Sequence, residues 1–284
     1  MAFADKRLLA WVRMLRLYYK STNLFRDCLA DPGQASLLPW LSPERRIDVK
    51  FRSCRLFTMP AKHWALLPTA CRLDEIGADF EFLDDSKRVR IDGLTLFSPL
   101  WTRNEAAYYQ EVFLEDAYRV KNRDLRGQVV VDVGAYVGDT AIAFARRGAT
   151  VHAVEPSETF CRYMRRNLAE NGLADRVTVH DVGLSDREDE FEIRNDRLRF
   201  KEGVGYALAH LPARVDVLKL DCEGAEYFLL GDPRFLDHLA PREIRMEYHR
   251  GPAGAVEPLE RAGYGVKLHG QASQVGLLTA ERGS

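Results

Sequence analysis

The stretch VVVDVGAYVGDT at residues 129–140 constrains the fold of this chain more than any other segment. A β-branched apolar run contains Asp132 near its end, and two glycines, Gly134 and Gly138, separate it from a helical pattern at residues 141–145. This order is typical of a buried parallel strand that turns tightly into a helix. Backbone N–H groups at the start of such a helix are open to a ligand. We therefore expect a nucleotide-type cofactor at this turn.

The glycine spacing indicates which cofactor to expect. A dinucleotide-binding turn carries Gly-x-Gly-x-x-Gly. Here the pattern is Asp-x-Gly-x-x-x-Gly, with Ala135 and Tyr136 where the second glycine would stand. A pyrophosphate needs a closer backbone approach than this turn allows. S-adenosylmethionine, which has no phosphate and carries a carboxylate and an ammonium, fits a strand-end acid and backbone amides better.

An acid also follows the next predicted strand. Residues 149–154 end at Glu155, which lies 21 positions after Gly134 (155 − 134). This is close to the roughly 20 residues expected for an acid that accepts both ribose hydroxyls. The alternative is that Glu155 caps the following helix, with Pro156 in its first turn. The joint spacing favours the cofactor role.

Strands and helices continue to alternate towards the C-terminus. We predict a helix over residues 159–171 and strands over 177–180, 215–220, 243–248, 263–269 and 275–279. Such alternation implies an α/β fold with a doubly wound, Rossmann-like sheet that binds ligands at the carboxyl ends of its strands. The residues that fall at these ends are Asp132, Glu155, Asp181, Asp221 and His249.

Asp181 follows the third predicted strand of this series. Its carboxylate is a candidate acceptor for the adenine amino group of the cofactor, with Val182 beside it. The alternative is a solvent-facing turn residue, and the sequence leaves both possibilities open.

The fourth and fifth strands carry alternating charges. These are Lys219, Asp221 and Glu223 on one strand and Arg245, Glu247 and His249 on the next. Alternate residues point to one face of a strand, and buried charges are costly unless they are paired. We predict that Lys219 pairs with Glu247. Mutual neutralisation is one interpretation of all these charges, but residues 221–226 leave the sheet beside the cofactor acids, which favours an active site.

Residues 215–226, VDVLKLDCEGAE, are similar to the Lys-hydrophobic-Asp-x-Glu-Gly-Ala-Glu signature of FkbM-type S-adenosylmethionine-dependent methyltransferases. Other matching segments are residues 113–118, 130–138, 148–156 and 167–172. The resemblance covers about residues 105–270. It implies a seven-stranded class I methyltransferase sheet and, usually, O-methylation of small molecules, sugars or polyketide-like products.

Methyl transfer from a sulfonium is an in-line displacement, so the enzyme mainly positions the acceptor. A hydroxyl acceptor benefits from a general base. Our candidates are His249 and Asp221, with Glu223 orienting the substrate or the base. These three could also be metal ligands, but their spacing fixes no coordination geometry and we expect no metal. The predicted cofactor contacts are Asp132, Gly134, Ala135, Tyr136, Gly138, Glu155, Asp181, Val182 and Asp221.

The N-terminal part of the chain does not share this resemblance. We place a boundary near residue 104 and expect residues 1–104 to form a mixed helical and β accessory region, a possible substrate cap, before a methyltransferase domain at 105–284. Residues 1–60 hold eleven Lys/Arg and five Asp/Glu, although the whole chain has a net charge of −1. This region could meet an anionic partner, or be a solvated helix face. Residues 8–19 are predicted to form an amphipathic helix.

The remaining sequence features bound the location and the alternatives. No stretch reaches the roughly 20 apolar residues of a membrane span, and the five cysteines lack Cys-x-x-Cys spacing, so we expect a cytoplasmic protein. One alternative function is RNA-directed methylation or RNA binding through the basic N-terminal region. Another is a nicotinamide-dependent oxidoreductase, which the missing Gly-x-Gly-x-x-Gly pattern argues against. The expected partner is a small hydroxylated acceptor, and the oligomeric state stays open.

Overall fold

The protein is described by a computed structural model that covers residues 28–30, 45–193, 196–271 and 273–283. The described chain forms two compact units. The smaller runs to Gly93 and includes Ser98–Gln110, and the larger contains Leu94–Phe97 and the residues from Glu111 onward. The predicted helix at residues 8–19 and most of the basic N-terminal region lie outside the described residues. The boundary near residue 104 stays a prediction.

The smaller unit contains both helices and strands. Its strands are β1 (Arg46–Lys50), β2 (Leu56–Pro60), β3 (Asp79–Phe82), β4 (Ser86–Ile91) and part of β5 (Leu94–Pro99). Strand β1 pairs antiparallel with β2, and β3 pairs antiparallel with β4. Its helices are the 3-10 turn Ala61–Leu66 and the α-helices Leu67–Glu75 and Glu105–Tyr109. Alternate residues of β1, β2 and β3 are buried. Three of these buried residues are Phe57, Phe80 and Phe82, whose rings contact one another.

The larger unit is built on a seven-stranded sheet. The remaining strands are β6 (Val129–Val133), β7 (Thr150–Val154), β8 (Val177–His180), β9 (Gly183–Ser185), β10 (Asp189–Ile193), β11 (Asp196–Glu202), β12 (Val217–Leu220), β13 (Glu243–Tyr248), β14 (Tyr264–His269) and β15 (Gly276–Arg282). The order across the large sheet is β14-β15-β13-β12-β6-β7-β8. Strand β15 runs antiparallel to β13 and β14, and the other pairs are parallel.

This strand order confirms the predicted doubly wound, Rossmann-like sheet. The chain moves outward from β6 through β7 to β8, and then returns to place β12 on the other side of β6. The order therefore reverses between β6 and β12. In open α/β sheets, ligands bind beyond the carboxyl ends of the strands at such a reversal. The fold thus places any site next to Val133 and Leu220, the last residues of β6 and β12.

Helices accompany the strands of the larger unit. They are Asp139–Ala145, Glu158–Glu170, Gly203–His210, Glu226–Gly231, Pro233–Leu239 and Ala253–Arg261, with a π-helical turn at Gln110–Leu114 and a 3-10 turn at Ala174–Arg176. Every residue of Asp139–Ala145 is buried, as expected of the helix that follows the central strand. The helix predicted over residues 159–171 is confirmed, because Ser157 caps its start and Asn171 and Gly172 end it.

Two predicted strand boundaries of the larger unit were wrong by two or more residues. The strand predicted over residues 215–220 begins at Val217, and just before it Asp216 Oδ2 accepts a hydrogen bond from Val129 N at 2.8 Å. The last strand continues to Arg282, since its pairing with β13 and β14 extends beyond the apolar run. Among the described residues, no helix is long and apolar enough to span a membrane.

Candidate active site

A buried ion pair lies beneath the carboxyl ends of the central strands. Lys219 of β12 and Asp132 of β6 are neighbours in register, and Lys219 Nζ lies 3.1 Å from Asp132 Oδ1. Both side chains are almost completely buried. Burial by itself lowers the pKa of Lys219, but the carboxylates of Asp132 and Asp221 outweigh it and hold that pKa above its usual value. Lys219 is therefore a charged group in the interior of the sheet.

The predicted pairing of Lys219 with Glu247 was wrong. Lys219 stands opposite Arg245 in the β12–β13 register, so Glu247 lies two residues further along its strand. The ammonium instead faces Asp132 and, at 3.7 Å, Asp221 Oδ2. It also donates to the carbonyl oxygen of Gly134 at 2.7 Å. Lys219 thus connects the two central strands with the turn that follows β6.

Asp132 lies underneath the glycine turn. Its Oδ2 accepts a hydrogen bond from Thr140 Oγ1 at 2.6 Å, and its Oδ1 faces the Lys219 ammonium. The structure therefore places this predicted cofactor residue as a buried support, which fixes the helix Asp139–Ala145 relative to β6. No part of Asp132 is exposed.

The two glycines of the turn are required by the packing of the chain itself. Gly134 has a φ of +80°, and a Cβ at this position would collide with the backbone carbonyl oxygen of Asp221. Gly138 has a φ of +88°, and a Cβ there would lie 2.6 Å from Met164 Cγ. Between them Ala135 is buried, and Tyr136 adopts a positive φ of 49°. The turn is thus packed against the end of β12 and against the helix Glu158–Glu170.

Glu155 joins the end of β7 to this turn. Its Oε2 accepts a hydrogen bond from Tyr136 N, and its Oε1 accepts one from Ser157 N, both at 2.9 Å. The cap of the following helix is the Ser157 side chain, which accepts from Phe160 N at 3.0 Å. Burial raises the pKa of Glu155 to about 8, even though both backbone hydrogen bonds favour the ionised form.

This raised pKa predicts how stability depends on pH. Glu155 ionises near 4.5 when unfolded and near 8 when folded, so the folded state holds an extra proton between these values. Stability therefore falls as the pH rises through this window. We expect the melting temperature of the Glu155→Gln variant to fall less than that of the wild type between pH 5 and pH 8.5, by on the order of 5 °C. Calorimetric melting curves measure both slopes, and identical slopes would contradict the assignment.

Asp181 and Val182 follow β8. Asp181 forms an ion pair with Arg165, with Arg165 Nη2 2.7 Å from Asp181 Oδ1, and about a third of its side chain is exposed. Val182 is partly buried against the core of the sheet. This placement is compatible with both predictions for Asp181, namely a solvent-facing turn residue and an acceptor for the adenine amino group.

The ends of β12 and β13 bring His249 together with several carboxylates. His249 Nδ1 lies 2.9 Å from Oε1 of Glu226, a side chain with no exposed surface. If Nδ1 donates to this carboxylate, the other ring nitrogen, Nε2, carries the lone pair. Nε2 lies 3.7 Å from Asp221 Oδ1 and 3.9 Å from Glu247 Oε2. We call His249, Asp221 and Glu247 the strand-end triad.

The third residue predicted for catalysis, Glu223, lies at the outer side of the triad. Its Oε2 is 3.8 Å from His249 Nε2, but 87% of its side chain is exposed. Its backbone has a φ of +56°, which places it in the turn after β12. The structure therefore brings the three predicted residues together, with Glu223 in contact with solvent.

Further residues complete the site and were missed by sequence reasoning. Tyr118 donates its hydroxyl proton to Asp221 Oδ2 at 3.1 Å, and Glu111 lies near enough to raise the pKa of Glu247. Burial is the main cause of that rise, followed by the charges of Asp221 and Glu111, and the pKa of Glu247 reaches about 7. Glu111 and Tyr118 precede β6 by sequence, so only the fold brings them to the triad.

Comparison with known proteins gives matches to solved structures alone. No protein-family model matches this chain, and no curated protein matches it. The chain is similar to an S-adenosylmethionine-dependent O-methyltransferase from Thermotoga maritima, with 14% identity, 85% of this chain and 94% of that chain covered, and a TM-score of 0.45. It is also similar to magnesium protoporphyrin IX methyltransferase from Synechocystis, with 18% identity, 63% and 82% covered, and a TM-score of 0.44. A third is the tRNA m1G37 methyltransferase of M. jannaschii, with 13% identity, 70% and 57% covered, and a TM-score of 0.46. The fold assignment rests on the strand order described above.

Proposed function

We propose that this protein is an S-adenosylmethionine-dependent methyltransferase that methylates a hydroxyl group of a small molecule, a sugar or a natural product. The observation that carries this proposal is the position of His249. Its Nδ1 is held by the buried Glu226, and its Nε2 is directed at carboxylates where the strand order reverses. The resemblance of residues 215–226 to the FkbM-type signature supports the same chemistry.

The charges beside the glycine turn suit this cofactor. Three buried or half-buried acids, Asp132, Asp139 and Asp221, lie around the single ammonium of Lys219. Burial raises the pKa of Asp132 and raises that of Asp139 to about 7, while the charge of Lys219 lowers both. Their excess negative charge favours a ligand with cationic groups, such as a sulfonium and an ammonium. The same charges would repel a pyrophosphate. The donor set therefore fits S-adenosylmethionine better than a nicotinamide dinucleotide.

Glu155 is the proposed acceptor for the ribose hydroxyls. Each of its carboxyl oxygens accepts one backbone N–H and has a second position for a hydrogen bond. Because burial raises its pKa to about 8, both of these positions are acceptors only when the group is ionised. Two positions are therefore left for a ligand. Its hydrogen bond to Tyr136 N also holds the turn in place, which keeps Ala135, Tyr136 and Gly138 in position around the cofactor. Asp181 and Val182 are proposed to contact the adenine.

The chain's own contribution to the reaction is positioning and proton removal. The cofactor supplies a methyl group on a positively charged sulfur. The acceptor hydroxyl is held beside the strand-end triad, where one of His249, Asp221 and Glu247 accepts its proton as the general base. Glu223 lies at the solvent side of this position and orients the acceptor. Residues 1–104, the accessory region, are the proposed source of acceptor selectivity.

The experiment that tests the proposal is a calorimetric titration with S-adenosylmethionine and, separately, with NAD. We expect saturable binding of the first alone. Glu155→Ala should weaken that binding by about tenfold or more, because each of the two lost hydrogen bonds to the ribose contributes about 1 kcal/mol. Glu158→Ala is the matched control, since Glu158 is a half-exposed acid at the start of the next helix. Binding of NAD, or equal losses in both variants, would overturn the cofactor assignment.

A further inference from the structure

We propose that the strand-end triad of Asp221, Glu247 and His249 binds a divalent metal ion, which in turn holds the acceptor hydroxyl. The part concerning the acceptor rests on the proposed function, whereas the metal site does not depend on it. From the sequence, Asp221, Glu223 and His249 are conceivable metal ligands, but their spacing alone led us to expect no metal. In the structure, Glu247 and not Glu223 is grouped with Asp221 and His249, and the distances between the three ligand atoms are defined.

The distances within the triad suit one shared ion. The triad offers three ligand atoms that all lie within 4.8 Å of one another. His249 Nε2 lies 3.7 Å from Asp221 Oδ1 and 3.9 Å from Glu247 Oε2. Nitrogen and oxygen ligands bind zinc at about 2.0–2.2 Å, so two ligands of one ion lie at most about 4.4 Å apart. The two measured distances satisfy this limit without any backbone movement.

The ligands stand on adjacent strands of the central sheet. Leu220 and Met246 are neighbours in the parallel β12–β13 register, and Asp221 and Glu247 are the residues that follow them. His249 comes two residues after Glu247, one residue beyond the end of β13. Ligands that are fixed by a buried sheet hold a preorganised geometry, which a metal site requires.

The surroundings of the triad orient its ligand atoms. Glu226, which is fully buried, holds Nδ1 of His249, so that Nε2 is directed at the two carboxylates. Histidines that bind metals almost always donate their other ring N–H in this way. Tyr118 donates to Oδ2 of Asp221, which leaves Oδ1 as the oxygen that faces His249. Glu226 is not one of the three ligands, so its contact with the imidazole supports the metal site independently of the clustered acids.

The charges of the site call for a further cation. Asp221 and Glu247 each direct a carboxylate oxygen at the same imidazole nitrogen, and these three ligand atoms lie within 4.8 Å of one another, so two like charges are held close together. Lys219 approaches Asp221 on the side of Oδ2, and is already paired with Asp132. A divalent ion between Oδ1 of Asp221 and Glu247 would relieve this repulsion.

Two carboxylates and one imidazole suit Mn²⁺ or Zn²⁺ better than Mg²⁺, which prefers oxygen ligands and water. Three protein ligands leave coordination positions open for the acceptor oxygen. A hydroxyl bound to the ion loses its proton more readily. That proton passes to solvent past the exposed Glu223, the oxygen gains the methyl group, and the cofactor leaves as its neutral thioether. No electron donor or acceptor is needed.

The test is titration of the chelator-treated full-length protein with MnCl₂, monitored by electron paramagnetic resonance. We expect one site per chain and a loss of at least tenfold in affinity in Asp221→Asn and in Glu247→Gln. Glu257→Gln is the matched control, because Glu257 is an exposed acid on the helix Ala253–Arg261, and it should bind Mn²⁺ within about threefold of the wild type. Stabilisation of the wild type by ZnCl₂ in thermal melts, absent in Glu247→Gln, is a second expected result.

The outcomes separate this inference from the proposed function. Binding of S-adenosylmethionine without a Mn²⁺ site, or a Mn²⁺ site that Glu247→Gln leaves intact, would overturn the metal proposal alone. A Mn²⁺ site that depends on Asp221 and Glu247 in a protein that does not bind S-adenosylmethionine would support the metal site and overturn the methyltransferase. Circular dichroism shows whether each variant is folded, and a variant that is not folded is replaced by Asp221→Glu or Glu247→Asp.

Discussion

Replacing Lys219 with methionine is expected to lower the free energy of unfolding by about 3–5 kcal/mol. Methionine fills a similar volume, so the loss comes from the charges and not from a cavity. Without the ammonium, Asp132 is left buried and unpaired at the centre of the sheet, and the carbonyl of Gly134 loses its donor. Denaturant unfolding followed by circular dichroism measures the change.

The second substitution at this pair tests the cause. Adding Asp132→Asn to Lys219→Met removes the unpaired charge, so the double variant should be more stable than Lys219→Met alone. Lys267→Met is the matched control, because Lys267 is an exposed lysine on β14 of the same sheet. A loss below about 1 kcal/mol in Lys219→Met, or equal losses at Lys219 and Lys267, would show that the buried pair is not what stabilises the sheet.

Replacing His249 with glutamine is expected to lower turnover by a factor of about 10²–10⁴, the usual contribution of a group that moves or activates a proton. The reason is that Nε2 of His249 faces Asp221, Glu223 and Glu247, which is where the proposed function places activation of the acceptor hydroxyl. The dissociation constant for S-adenosylmethionine should change by less than about threefold, because no hydrogen bond from His249 reaches the glycine turn among the described contacts.

A graded series checks this role. Glu226→Gln should lower turnover by about 10–100-fold, since Glu226 acts through the orientation of His249. His210→Gln should leave turnover unchanged, because His210 is an exposed histidine at the end of the helix Gly203–His210. Radiolabelled methyl transfer to a hydroxylated acceptor measures all three variants. If His249→Gln weakened cofactor binding and spared turnover, the roles assigned to the two ends of the site would be reversed.

The sequence predicted the sheet well because its central strands are buried on both faces. Such strands are mostly apolar runs, as at Val129–Val133 and Val217–Leu220, each with a single charged residue, and they can be recognised without knowledge of their neighbours. The strand ends were equally visible, since a polar residue follows each run. Asp221 and His249 were therefore placed correctly at one edge of the sheet.

The partners across strands were harder to predict. The pairing of Lys219 with Asp132 and not with Glu247 depends on β12 lying between β6 and β13, and on a register that places Arg245 opposite Lys219. Neither fact is contained in the residues of any single strand. Tyr118 is 103 residues away from Asp221 in the chain, so its hydrogen bond follows only from the fold. The role of Glu226 likewise depends on a helix that turns it back towards His249.

The contact between Gly134 and the Asp221 carbonyl has a consequence for protein engineering. No larger side chain fits at residue 134 without moving the backbone that carries Asp221. Libraries that aim to broaden the range of acceptors should therefore keep glycine at residue 134, even though this residue lies beside the proposed site. Glu223 is the better position to randomise, because its side chain is largely in solvent. Substitutions are thus expected to be tolerated at the exposed residue 223 and not at residue 134 inside the glycine turn.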